Sequence, residues 1–201
     1  TGLTWLNICD SHAYVWIEGQ GVKVMEQLGN GYNNSRSIAA DGSIVVGFAQ
    51  GNSARTLATW DTATQLGSVV DMDHLGEYYG VSDTGEFLLG GRYDGSQPDV
   101  EAFYERYDEL LGGYVSTPIG NLNPGWASYA IDCSESGGTI IGKDTQGLGS
   151  EAWVWNAQSG IVSIQSKLLG LGVAGVPLLT SPSAMTPDGQ VVVGNTSFGE
   201  P

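Results

Sequence analysis

Short apolar runs alternate along this chain with clusters of Gly, Asp, Asn, Ser and Thr: SIVVGF at 43–48, LATW at 57–60, EFLLGG at 86–91, AWVW at 152–155 and QVVVG at 190–194. Runs of this length, rich in β-branched and aromatic residues and bounded by turn formers, predict strands. The runs SIVVGF and QVVVG do not alternate with polar residues, so they predict inner strands buried on both faces.

The pattern repeats. Five stretches align on a glycine that opens a strand-like run: TGLTWLN at Gly2, DGSIVVGF at Gly42, TGEFLLGG at Gly85, GGTIIGK at Gly138 and DGQVVVGN at Gly189. A second landmark follows each of the first four: AYVW ending at Trp16, LATW at Trp60, AFY at Tyr104 and AWVW at Trp155. A third precedes the next glycine, with Ile38, Val81, Ile131 and Met185 in SRSIAADG, YYGVSDTG, SYAIDCSESGG and SPSAMTPDG. The Asp-Gly, Thr-Gly and Gly-Gly pairs supply the positive φ of a tight hairpin turn, so each unit reads as a β-meander. In the second unit the strands are expected over 43–49, 56–60, 66–70 and 78–81.

About four short strands in some 40 residues is the unit of a propeller blade. The expectation is an all-β chain, a β-propeller of about four repeats of four-stranded antiparallel blades. The repeats divide a single domain, 1–201, into 1–40, 41–83, 84–136 and 137–187, with a partial fifth over 188–201. Residues 106–128 read as a longer, decorated connection, and 168–187 as a strand pair or a short helix. Two architectures accommodate the extra strand. In the favoured one, 188–201 overlaps the first blade and closes a four-bladed ring; in the other the chain is an excised part of a longer propeller or array.

At SIAADGSIVVGFAQGNSARTLATW and again at SAMTPDGQVVVGNTSFGEP, the chain resembles the HAF-type extracellular repeat family of bacteria, over nearly its whole length. The resemblance implies an exported location, secreted or at the cell surface, including autotransporter-like passengers, and no defined activity. The chain departs from the pattern at Leu57, at AFYERY, which lacks the tryptophan, and at Cys9, where the loop after TGLTWLN is short. The TPDG phrase also resembles TolB-like and WD-type propeller blades, which share the same turn chemistry.

Charge narrows the partners. Twenty-two acidic against seven basic residues give a formal net charge of -15, which repels phosphate backbones and anionic lipid. No run of about 18 apolar residues is present, so no membrane insertion of this segment is expected. The chain opens at Thr1 with no basic or apolar leader, which reads as a mature or excised segment. Cys9 and Cys133 pair as one disulfide in an oxidising compartment, or remain two buried thiols.

Catalytic signals are weak. His12 and His74 are the only histidines; neither lies near a G-x-S-x-G phrase, and no Cys or His has zinc-ligand spacing. Acids in DMDHLGE (Asp71, Asp73, Glu77) and YDGSQPDVE (Asp94, Asp99, Glu101) read as turn residues. Both loops offer oxygen ligands for calcium without matching the EF-hand pattern, and no other cofactor is indicated. Trp16, Trp60 and Trp155 fall on the repeat landmark and are expected in the core, whereas Trp5, Trp126 and Trp153 have no repeat equivalents. Trp126, Tyr78, Tyr79, Asp94 and Asp99 are the expected binding residues for a glycan or surface protein. A polysaccharide hydrolase or lyase with paired carboxylates, and a structural spacer, stand as alternatives.

Overall fold

The computed structural model describes residues 11–51, 54–69, 75–93 and 100–197. Three complete four-stranded antiparallel sheets follow one another along the chain. The first holds β3 (Asn33–Ile38), β4 (Ile44–Gln50), β5 (Arg55–Asp61) and β6 (Gly67–Val69) in chain order. The second holds β7 (Leu75–Val81), β8 (Phe87–Tyr93), β9 (Glu101–Asp108) and β10 (Gly113–Gly120). The third holds β11 (Ala127–Cys133), β12 (Ile140–Gln146), β13 (Gly149–Asn156) and β14 (Gly160–Ser163). Two hairpins flank them: β1 (Tyr14–Ile17) with β2 (Gly21–Val24), and β15 (Leu179–Met185) with β16 (Val192–Thr196). By position in the repeat these hairpins are the last two strands and the first two strands of a blade.

The expected propeller blades are therefore present, about four blades' worth, framed one strand earlier than the sequence units. The strand carrying Ile38 or Val81 pairs with the glycine-led strand that follows it, not with the one before. Among the described residues, β1–β2 and β15–β16 are separate two-stranded sheets. Residues 106–128 are also more regular than expected. Asp108 accepts hydrogen bonds from the Leu110 and Leu111 amides, and Gly112 turns the chain at φ 65°, which joins β9 and β10 in a hairpin. Between the third blade and β15 lies α1 (Ile164–Gly170), capped by the Ser163 hydroxyl, which accepts from the Ser166 amide at 3.3 Å.

Two glycines per blade give the repeat its phrase, for different reasons. Gly42, Gly85, Gly137 and Gly189 have positive φ and make the first hairpin turn. In the third blade the turn glycine is thus Gly137, one residue before the Gly138 expected from alignment. Five residues on, Gly47, Gly90, Gly142 and Gly194 lie inside strands. A Cβ there would collide with the backbone carbonyl of Asn34, Glu77, Tyr129 or Ser181 on the preceding strand. That strand carries a β-bulge opposite each glycine, at Arg36, Tyr79, Ile131 and Ser183, and the bulge pushes its carbonyl towards the neighbour.

The core lies between blades. Val15, Met25, Val45, Ala58 and Trp60 join the first hairpin to the first blade. Val46, Leu57, Tyr78, Leu88 and Phe103 join the first and second blades, and Phe87, Leu89, Ala130, Ile140 and Trp153 join the second and third. Trp153, which has no tryptophan equivalent in the repeat, is fully buried, with its indole N–H donating to the Ser128 hydroxyl at 3.1 Å. Trp16, expected within it, is 64% exposed; among the described residues the strand paired with β1 is β2. Trp60 is buried as expected and Trp155 is half-buried against Tyr104. Cys133 is a buried free thiol whose pKa burial pushes up to about 12, so it is inert; Cys9 lies outside the described residues. No described helix is long and apolar enough to cross a membrane.

Candidate functional site

Blade connectivity sorts the described connections onto two ends. The glycine turns and the turns between third and fourth strands share one end. The connections between second and third strands, and those between blades, share the other. At this second end the three blades leave a mouth of about 540 Å³, lined by Gln50, Arg55, Glu77, Tyr93, Val100 and Tyr129 among others.

Bulges place its chemistry. Arg36 and Tyr79 are the extra, unpaired residues of the first and second blades' bulges, and a bulge re-aims the side chain it carries. Their side chains meet: the Arg36 guanidinium lies 5.3 Å from the Tyr79 ring centre and 5.4 Å from that of Phe48. Arg55, at the start of β5, covers the same Phe48 ring at 4.5 Å. Glu77 accepts from both arginines, at 3.1 Å from Arg36 and in a close ion pair with Arg55 that raises the guanidinium pKa. Tyr129 of the third blade packs on Tyr79, with ring centres 5.1 Å apart. Burial raises the pKa of both tyrosines, so their hydroxyls are neutral donors at any physiological pH. Two cations, one carboxylate and two tyrosines from three blades make a donor and acceptor cluster of net positive charge in a strongly acidic chain.

Of the expected binding residues, Tyr79 is in this cluster. Glu77, expected in a turn, is in strand β7 and anchors it. Tyr78 is not available to a ligand: it is 1% exposed, and its hydroxyl donates to Glu105 at 2.6 Å, because successive strand residues face opposite sides and the bulge begins only after it. Trp126 is half-buried, its ring over Gly149 of its own blade and its carbonyl accepting from the Asn121 amide. Asp94 and Asp99 lie outside the described residues, as do Asp71, Asp73, His74 and Trp5; Tyr93 and Val100, which bracket the two acids, line the mouth. No group of three or more His, Cys, Asp or Glu able to hold a metal exists among the described residues. Sequence reasoning missed Arg36, Arg55 and Tyr129. Aligning the units on the strand glycine rather than the turn glycine exposes Arg36 and Tyr79 at one shared position, eleven residues upstream.

A second, larger cleft of about 1000 Å³ opens at the other end, between the outer strands of the first and second blades. Tyr104, Tyr107 and Tyr114 line it with Asp61, Glu86 and Asp108. Three of its four acids, all but Glu109, are already committed. Asp61 accepts from the Thr64 amide and hydroxyl, both at 2.7 Å, which lowers its pKa; Asp108 caps the next turn; Glu86 pairs with Arg106 at 2.8 Å. The acids that burial raises, Glu105, Asp132 and Asp144, line neither cleft.

No family model and no curated protein matches the chain. Its fold is found among solved structures. TolB from Acinetobacter baumannii superposes with a TM-score of 0.59 at 20% identity, covering 94% of this chain and 43% of that one. The β-propeller domain of Myceliophteria thermophila Cps50 (Swd1) gives 0.58 at 8% identity, covering 94% and 61%. A putative TolB from Agrobacterium tumefaciens gives 0.54 at 10% identity, covering 71% and 51%. The chain thus spans about half the length of these proteins, and at such identities the likeness is one of fold: an arc of β-propeller blades.

Proposed function

We propose that this chain is an exported or cell-surface binding module that holds a glycan at the mouth between its blades. The observation that carries this reading is the contact cluster of Arg36, Arg55, Glu77, Tyr79 and Tyr129 from three blades, of which Arg55, Glu77 and Tyr129 line one cavity. An arginine beside a carboxylate presents donors and an acceptor together, the set that a pair of sugar hydroxyls satisfies, and tyrosine rings stack on apolar sugar faces. The blades hold these groups on paired strands, so little conformational entropy is lost on binding. The HAF-type resemblance supports the exported location.

The test is a glycan array with the purified chain, with and without calcium. Saturable binding is expected, weakened at least tenfold by Arg55→Ala and little changed by Trp126→Ala, whose ring serves its own blade. Absence of binding in both conditions overturns the glycan ligand and leaves a protein partner at the same mouth; dependence on calcium assigns a role to the acidic loops. A polysaccharide hydrolase or lyase is the enzymatic alternative. Against it, Asp61, Asp108 and Glu86 of the larger cleft are held in turns and an ion pair, whereas a general acid needs a raised pKa beside the substrate. Release of reducing ends from any array glycan would reinstate it.

A further inference from the structure

Trp60 and Trp155 occupy one position of the blade. Each stands opposite the residue two before the strand glycine, Val45 or Ile140, and each packs on what precedes its blade: Trp60 in a cluster with Val15 and Met25, Trp155 against Tyr104 of the second blade. In the second blade that position is Glu105, opposite Leu88. Tyr104, the aromatic of the sequence landmark, faces the third blade instead. Glu105 is buried and turned to the Tyr78 hydroxyl at 2.6 Å, so its blade supplies no indole to the space between the outer strands of the first and second blades. The cleft of about 1000 Å³ opens there.

The β9–β10 hairpin forms one wall. Tyr107 and Tyr114 are opposite each other in it, edge to face with ring centres 5.3 Å apart, and the Tyr114 hydroxyl donates to the Gly85 carbonyl at 2.7 Å. Tyr107 is 43% exposed, and Leu66 and Val115 are exposed at the margins. Four carboxylates, Asp61, Glu86, Asp108 and Glu109, line the cleft against one cation, Arg106. Arg106 is held by Glu86 and lies over the Phe87 ring, which leaves three negative charges without a cation in the cleft. The Thr64 hydrogen bonds that disqualify Asp61 as a general acid also keep it ionised.

We propose that this cleft is a second binding site, at the opposite end from the mouth, and that it takes a basic peptide segment through an arginine side chain. A guanidinium is flat, stacks on a tyrosine ring and bonds carboxylates along its edge, so it meets Tyr107 and the acids together. A cleft of this volume holds more than one side chain, and the residues flanking the arginine meet Leu66 and Val115. Long-range attraction by a chain of net charge -15 favours the same occupant.

Calorimetric titration of the full chain tests this, with an acetylated, amidated hexapeptide of two arginines flanked by glycine and serine as the probe. The same peptide with citrulline, the neutral counterpart of arginine, is the control. Saturable one-site binding of the arginine peptide is expected, and none of the citrulline peptide. Asp61→Asn and Tyr107→Ala are each expected to weaken it at least fivefold, and Tyr107→Phe, which keeps the ring, to retain it. Asp188→Asn removes the same charge from another glycine turn, and Arg55→Ala alters the mouth; neither is expected to change the affinity. Thermal melts check that each variant folds, and the exposed Asp61→Asn carries the test should Tyr107→Ala not fold. Absence of saturable binding overturns the proposal. So does equal weakening by Asp61→Asn and Asp188→Asn, which would assign the attraction to the charge of the whole chain.

Discussion

At the residue scale, the strand glycines carry more of the architecture than the turn glycines that make the repeat conspicuous. Gly42 has a left-handed φ of 74° but open space around it, so a side chain there costs only backbone strain. Gly47 has ordinary strand geometry and no space: a Cβ meets the Asn34 carbonyl, which the bulge at Arg36 holds in place. Gly47→Ala is expected to destabilise by about 3 kcal/mol, because a backbone carbonyl cannot rotate away as a side chain does. Gly113→Ala, in open space and at a negative φ, is expected to be neutral or to stabilise by up to about 1 kcal/mol. Urea denaturation of the two variants checks the pair, and equal effects would show that the bulge relaxes.

At the element scale, the exposure of a repeated aromatic depends on what stands beside its strand. Trp153 is sealed between the second and third blades, with its ring over Gly142. Trp153→Ala is expected to cost about 3–5 kcal/mol, from lost burial and the cavity left behind. Trp16→Ala is expected to change stability by less than about 0.5 kcal/mol. Thermal melts separate the two, and a large loss for Trp16→Ala would mean that β1 is covered in solution. The sequence landmark treated Trp16, Trp60 and Trp155 alike because it records the strand's residues and not the strand's neighbours. Trp153 has no place in that landmark for the converse reason. Its equivalents across the blades are Phe103 and Ala58, so the position is apolar without being a recognisable repeat of tryptophan.

At the scale of the whole molecule, acid titration sets the pH dependence of stability. Burial raises the pKa of Glu105, Asp132 and Asp144, despite hydrogen bonds from Tyr78 to Glu105 and from the Met185 amide to Asp132 that favour the charged form. These groups bind protons more tightly folded than unfolded, so stability falls as pH rises from their ordinary values, near 4, through the raised folded ones. The exposed Asp41, Asp61 and Asp188 are shifted down by turn hydrogen bonds and act oppositely, losing their contribution as pH falls below about 4. Self-repulsion at a net charge of -15 adds to the loss at high pH. The melting temperature is expected to be higher near about pH 5.5 than near about pH 8. Glu105→Gln, which keeps an acceptor for the Tyr78 hydroxyl, is expected to narrow the difference. A melting temperature that rises between those two pH values would refute this account.

Local chemistry decides what the sequence determines by itself: the strands, the glycine turns, the repeat and hence the propeller class. A turn that needs positive φ and a strand buried on both faces each demand residue types readable within a few positions. Tertiary structure alone decided which strands share a sheet and at which strand each blade begins. It also decided that bulges bring Arg36 and Tyr79 together beside Glu77. Those outcomes depend on pairing between segments and on the stacking of blades, where a residue's role follows from its neighbours across the sheet and not from its neighbours along the chain.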